Sequence, residues 1–154
     1  MTLINEHPFV FPAVTKFKPL KHALLVFTDG SSTGVAAYII QDEAITFQTN
    51  SRSAQLTELY AVTTVLSAFP TQPLNIYTDS AYIAHSVPLL ETVGQIRHAS
   101  TTGELFRQIQ RLISKRSHPF FIGHLRAHSK LPGPLAEGNH KADLATQTQT
   151  LSMY

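Results

Sequence analysis

The 154-residue chain contains no cysteine, so it forms neither a disulfide nor a thiolate metal site, and its fold does not depend on an oxidising compartment. Long apolar runs are missing too. The longest, Val35 to Ile40, falls far short of the roughly 20 residues that a membrane-spanning helix needs. The N-terminus lacks the basic head and apolar core of a secretion signal. Acidic residues are absent between Glu104 and Glu137, an interval that holds Arg107, Arg111, Lys115, Arg116, Arg126 and Lys130. These absences predict a soluble, intracellular protein with no membrane partner; a monomer is the separate expectation for the isolated domain. The basic interval suits a polyanion, with an ordinary solvated helix face as the alternative.

What is present suffices for one domain: 17.0 kDa with 43% hydrophobic residues builds a core of useful size. Pro8, Pro12 and Pro19 make residues 1–21 an extended arm or linker. From residue 22 the chain alternates strand and helix patterns. Leu24 to Thr28 is an apolar strand running into Asp29-Gly30, and Val35 to Gln41 and Ala44 to Thr49 are two more, joined by a turn at Asp42-Glu43. Ser53 is placed to cap a helix over Ala54 to Phe69, stopped by Pro70. Leu74 to Thr78 is a fourth strand, and Ser80 to Val87 a short helix closed by Pro88. Residues 89–100 show no pattern. Thr101 and Glu104 match a capping box opening a helix that runs to Lys115, and Pro119 to His124 is a fifth strand. After a loop over 126–138, Asn139 caps a last helix to about Thr148, leaving 149–154 as a tail. This order predicts an α/β fold with a five-stranded mixed sheet and packed helices, the domain spanning residues 22–148.

Four acids stand out in that arrangement. Asp29 and Asp79 end the first and fourth strands, which helical crossovers would set side by side and parallel. Glu58 projects from the apolar side of its helix, where Ala61, Val62 and Val65 surround it and an unpaired charge is costly. Asp143 approaches from the last helix. Taken singly, each has a plainer explanation: Asp29 as a hairpin turn residue, Asp79 as a helix cap, Glu58 and Asp143 as helix-surface acids. Together, carboxylates sharing one pocket repel unless cations neutralise them. Oxygen ligands without cysteine favour Mg²⁺, with Mn²⁺ as a substitute, and two such ions about 3.5–4 Å apart suit phosphodiester hydrolysis. Setting these four acids aside leaves twelve bases against six acids, a net +6.

The stretches TDGSS (28–32), SAQLTELYAV (53–62), YTDSAY (77–82) and IGHLRAHSKLPGPLAEGNHKADLA (122–145) together resemble the ribonuclease H domain of a retroviral reverse transcriptase, the LPGPLAEGN loop being of betaretroviral or endogenous-retroviral type. The resemblance implies a ribonuclease H-like fold with helices on both faces of the sheet. It also implies two-metal ligands at Asp29, Glu58, Asp79 and Asp143, and a proton-transfer or product-release role for His128, whose imidazole titrates near neutrality. Gln55, Ser80 and Tyr82 match positions lining the path of an RNA/DNA hybrid, while Arg52, Arg126 and the Arg107 to Arg116 face hold phosphates. The expected activity is hydrolysis of the RNA strand, leaving 3′-hydroxyl and 5′-phosphate ends, within a virion or the host cytoplasm. Residues 89–100 are too short and too uncharged for the basic helix that some members carry, so an adjoining polymerase region is the expected partner for tight binding. A catalytically silent binding or tether module is the alternative. An integrase-like core fits less well, because Asp143 lies 64 residues beyond Asp79. A zinc pair of His124 and His128 lacks further ligands.

Overall fold

The structure, a computed structural model, describes residues 13–97 and 99–125. Its sheet has six strands: β1 (Thr15–Lys16), β2 (Leu24–Gly30), β3 (Val35–Ile40), β4 (Glu43–Gln48), β5 (Leu74–Thr78) and β6 (Phe120–His124). In space they run β1-β6-β5-β2-β3-β4. The meander β2-β3-β4 is antiparallel, whereas β5 joins β2, β6 joins β5 and β1 joins β6 in parallel. One strand more is present than the sequence pattern predicts. The extra one is β1, inside the supposed arm, and two residues are too few to carry an alternating pattern.

Three helices follow the expected order: α1 (Ala54–Ala68), α2 (Ala81–Ser86) and α3 (Thr101–Ser114). The Ser53 hydroxyl accepts from the Leu56 N–H at 3.2 Å, as its N-cap position predicts, and Phe69 closes the helix. Helix α1 is buried along Thr57, Glu58, Leu59, Ala61, Val62, Thr63, Val65 and Leu66 because it lies between the sheet and α3. Its two buried threonines return their hydroxyls to the carbonyls of Ser53 and Leu59, at 2.8 Å each. Burying Leu59, Val62, Val65 and Leu66 contributes about 1.5–3 kcal/mol apiece. Against them pack Val26, Ile76, Phe120 and Ile122 of the sheet and Leu105, Ile109 and Ile113 of α3.

Local details differ from expectation by about one residue. The β3-β4 turn falls on Gln41 (φ 50°) and Asp42 (φ 65°), the paired left-handed geometry of a two-residue hairpin, so Glu43 pairs with Ile40. Ser100, not Thr101, caps α3, its hydroxyl accepting from the Gly103 N–H at 3.1 Å. Pro88 does not end the chain's helical path but lies inside a 3-10 turn, Val87–Leu89, that prolongs α2. All three helices among the described residues serve one face of the sheet. On the opposite face Phe27 and Ile39 are buried with Leu125, the Tyr77 ring stacking on Phe27 at 5.9 Å. The helix predicted over residues 139–148 lies outside the described residues, as do the loop 126–138 and the tail.

Candidate functional site

The site is built from the edge where β2 and β5 end together. Thr28 and Thr78 are the last residues paired between these parallel strands, so the next residue on each, Asp29 and Asp79, emerges beside the other. Asp29 is no turn residue: it is paired with Ala37 in β3, and the hairpin closes later, through Ser31 and Gly34 (φ 91°). Nor does Asp79 cap a helix. Ser80 does so, its hydroxyl accepting from the Ile83 N–H at 3.2 Å. Both plainer explanations therefore fail on geometry.

Gly30 sets the third side chain in place. A Cβ there would lie 2.3 Å from the Glu58 backbone nitrogen and 2.7 Å from the Thr57 carbonyl carbon, so only glycine lets α1 settle this close to β2. The close approach buries Glu58 to 2% exposure. Its Oε1 accepts a hydrogen bond from the Thr28 hydroxyl, while its Oε2 is buried with no hydrogen-bond partner among the described residues. Carboxylate oxygens of Asp29, Glu58 and Asp79 all lie within 4.8 Å of one another.

Electrostatically this arrangement is unfavourable without a counter-charge. Burial pushes the Glu58 pKa well above the ordinary carboxylate value, and the charge of Asp29 and then that of Asp79 add to the push. The hydroxyls of Thr28 and Thr78 oppose it by hydrogen bonding. A buried oxygen lacking a donor, inside a trio of close acids, fits a divalent cation: the donors are hard oxygens and their summed charge is what such an ion neutralises.

The remaining predicted positions fall in different places. Gln55 is exposed on α1, one turn before Glu58, and Arg52 is exposed just ahead of the helix. Tyr82 is exposed on α2, its ring 6.2 Å from that of Phe106 on α3. Arg126, His128 and Asp143 lie outside the described residues. The expected phosphate-holding face of α3 is only partly available. Arg116 is buried, donating to the carbonyls of Phe69, Gln72 and His118 and lying 5.9 Å from the centre of the Phe120 ring. It closes the end of α1 onto β6 and is withdrawn from any ligand. Arg107 donates to the Ile96 carbonyl at 3.2 Å, leaving Arg111 and Lys115 exposed.

One residue set aside on sequence grounds gains importance. His124 is exposed at the end of β6 in register with Thr78, and the next N–H, of Leu125, donates to the Thr78 carbonyl at 2.9 Å. His124 thus closes the strand beside the one that leads into Asp79. The sequence carries the same mark there as at Asp29 and Asp79, a polar residue closing an apolar strand.

Comparison with known proteins places this geometry. Residues 21–150 match the model of the RNase H family. The chain is 68% identical over 142 residues to the Gag-Pro-Pol polyprotein of Simian retrovirus SRV-1 and 67% identical over 141 residues to that of Mason-Pfizer monkey virus, covering 92% of this chain in each case. Against the Gag-Pro-Pol polyprotein of Sheep pulmonary adenomatosis virus the identity is 44% over 146 residues, 93% of this chain. The chain spans 8% of the length of each of these relatives.

Proposed function

Since the chain belongs to the ribonuclease H family and is a ribonuclease H of retroviral type, we propose that it cleaves the RNA strand of RNA/DNA hybrids at Asp29, Glu58 and Asp79. The observation that carries this reading is the mutual 4.8 Å approach of three carboxylates on three separate elements, at the sheet edge where two parallel strands stop. Asp143, from the chain beyond the described residues, completes the set as a fourth ligand. Two divalent cations, Mg²⁺ or Mn²⁺, would supply the Lewis acidity for an in-line displacement at phosphorus, with products ending in 3′-hydroxyl and 5′-phosphate.

The chain's own groups do the rest. Thr28 holds the Glu58 carboxylate through Oε1, and Gly30 fixes how deep it sits. His124 at the end of β6, and His128 beyond the described residues, are the two imidazoles proposed to move a proton on or off the departing strand. Gln55, Ser80 and Tyr82 line the path of the hybrid, where an amide or hydroxyl in the minor groove senses the 2′-hydroxyl that marks RNA. Arg52 and Arg126 hold phosphates without reading sequence. Residues 92–97 carry a single charge, Arg97, and form no helix, which supports weak hybrid binding by the isolated domain and a need for the adjoining polymerase region.

The test is substitution of Asp79 by Asn, which removes one ligand charge at nearly constant size. Cleavage of a labelled hybrid should be abolished with the melting temperature retained. Undiminished turnover in a folded Asp79→Asn sample contradicts the proposal, and a folded wild type with no Mg²⁺- or Mn²⁺-dependent cleavage favours a binding-only module.

A further inference from the structure

The most heavily bonded feature outside the carboxylate site is the segment that reads from sequence as a loose arm. Both oxygens of Glu91 accept backbone N–H groups of that segment, Val14 on Oε2 at 2.9 Å and Thr15 on Oε1 at 2.7 Å. The Val14 carbonyl in turn accepts from the Phe120 N–H at 2.8 Å, which starts the parallel pairing of β1 with β6. Further on, the Asn75 side chain treats Leu20 as a strand would, accepting its N–H at 2.9 Å and donating to its carbonyl at 2.8 Å. Asn75 and Thr15 are both buried. The match to the family model starts at residue 21, so this segment lies just ahead of it.

We infer that residues 13–20 are a strap belonging to the folded unit, latched by Glu91 and pinned by Asn75, which covers the start of the β6 edge at Phe120 and Phe121 and fixes where the preceding polypeptide enters the domain. Two strand residues alone would make a feeble edge. A carboxylate accepting two backbone donors gives charge-assisted bonds, stronger than the ladder bonds they extend. The physical need is clear from the topology. Without the strap, β6 presents an unpaired row of N–H and C=O groups ready to pair with a strand of another chain. The pairing takes in Phe120 and Phe121, the start of β6 and the end of the strand away from His124.

The test is backbone hydrogen exchange on the full chain with Glu91→Ala. Expected are exchange at least tenfold faster at Val14, Thr15 and Phe120, protection retained in β2 and β5, and a sedimentation coefficient that rises with concentration as opened edges pair. Wild-type protection at Val14 and Thr15 overturns the latch. Lost protection in a variant that stays monomeric at every concentration overturns the edge-covering role. Should Glu91→Ala fail to fold, Glu91→Gln decides: it keeps one carbonyl acceptor, so faster exchange at one of the two amides supports the latch and full protection at both refutes it.

Discussion

Substituting Gly30 by Ala isolates the contact that assembles the site. On an extended strand alanine is otherwise favoured over glycine by about 0.5–1 kcal/mol, so local propensity predicts a slightly stabilised protein. The close approach predicts the opposite. The new methyl would meet the Glu58 nitrogen at 2.3 Å and the Glu58 Cα at 2.8 Å, whereas ordinary contacts begin near 3.4 Å, so α1 must retreat from β2 by about 1 Å. The obstructing atoms are helix backbone and have no rotamer to change. Overpacking of this kind costs about 1–3 kcal/mol. For a domain of this size that lowers the melting temperature by about 2–4 °C per kcal/mol. The same displacement carries the Glu58 carboxylate away from Thr28 and Asp29, and a misplacement of about 1 Å in a reacting constellation costs on the order of 10² in rate. Thermal melts and cleavage of a fluorogenic RNA/DNA hybrid, measured side by side, give both quantities. A Gly30→Ala protein that melts at or above the wild-type temperature and cleaves at the wild-type rate would show that the approach of α1 to β2 does not set the site.

Three further outcomes follow from the same geometry. The pKa of Glu58 is raised in the folded state, so the cation-free protein loses stability as pH climbs from the ordinary carboxylate value through that raised value, and a bound divalent ion restores it. Mg²⁺ should thus raise the melting temperature more at pH 8 than at pH 5.5, and equal shifts at both would sink the coupling. Replacing Arg116 by Met strips the carbonyls of Phe69, Gln72 and His118 of their donor and should cost about 2–4 kcal/mol in urea denaturation with the KM for hybrid unaltered; a raised KM in a protein of native stability would return Arg116 to the binding face. His124→Ala, at an exposed strand end, should spare the fold and lower kcat by about 10²–10⁴, and wild-type turnover would leave the proton-transfer role to His128 alone.

Much of the fold could be read along the chain because it rests on local patterns. The apolar runs of β2, β3 and β5, the cap at Ser53 and the proline at 70 mark elements through their own chemistry. Other features depend on groups distant along the chain. β1 exists because Glu91, 76 residues from Thr15, supplies acceptors to it. Arg116 looks like one more charge on a basic helix until the carbonyls of Phe69 and Gln72 close around it. Gly30 reads as half of an Asp-Gly turn signal, yet it serves the approach of a helix.

By itself the sequence determined which residue types ended the strands, and so that acids would lie at one edge of a mixed sheet. Period and composition are properties of neighbours a few residues apart, and the order of motifs needs no third dimension. Only the tertiary structure decided that Asp29, Glu58 and Asp79 share a 4.8 Å space, that Glu58 is buried against Thr28, and that His124 lies in register with Thr78. Those facts depend on parallel register and on how closely a helix lies on a sheet, quantities fixed by packing between segments that the chain itself keeps tens of residues apart.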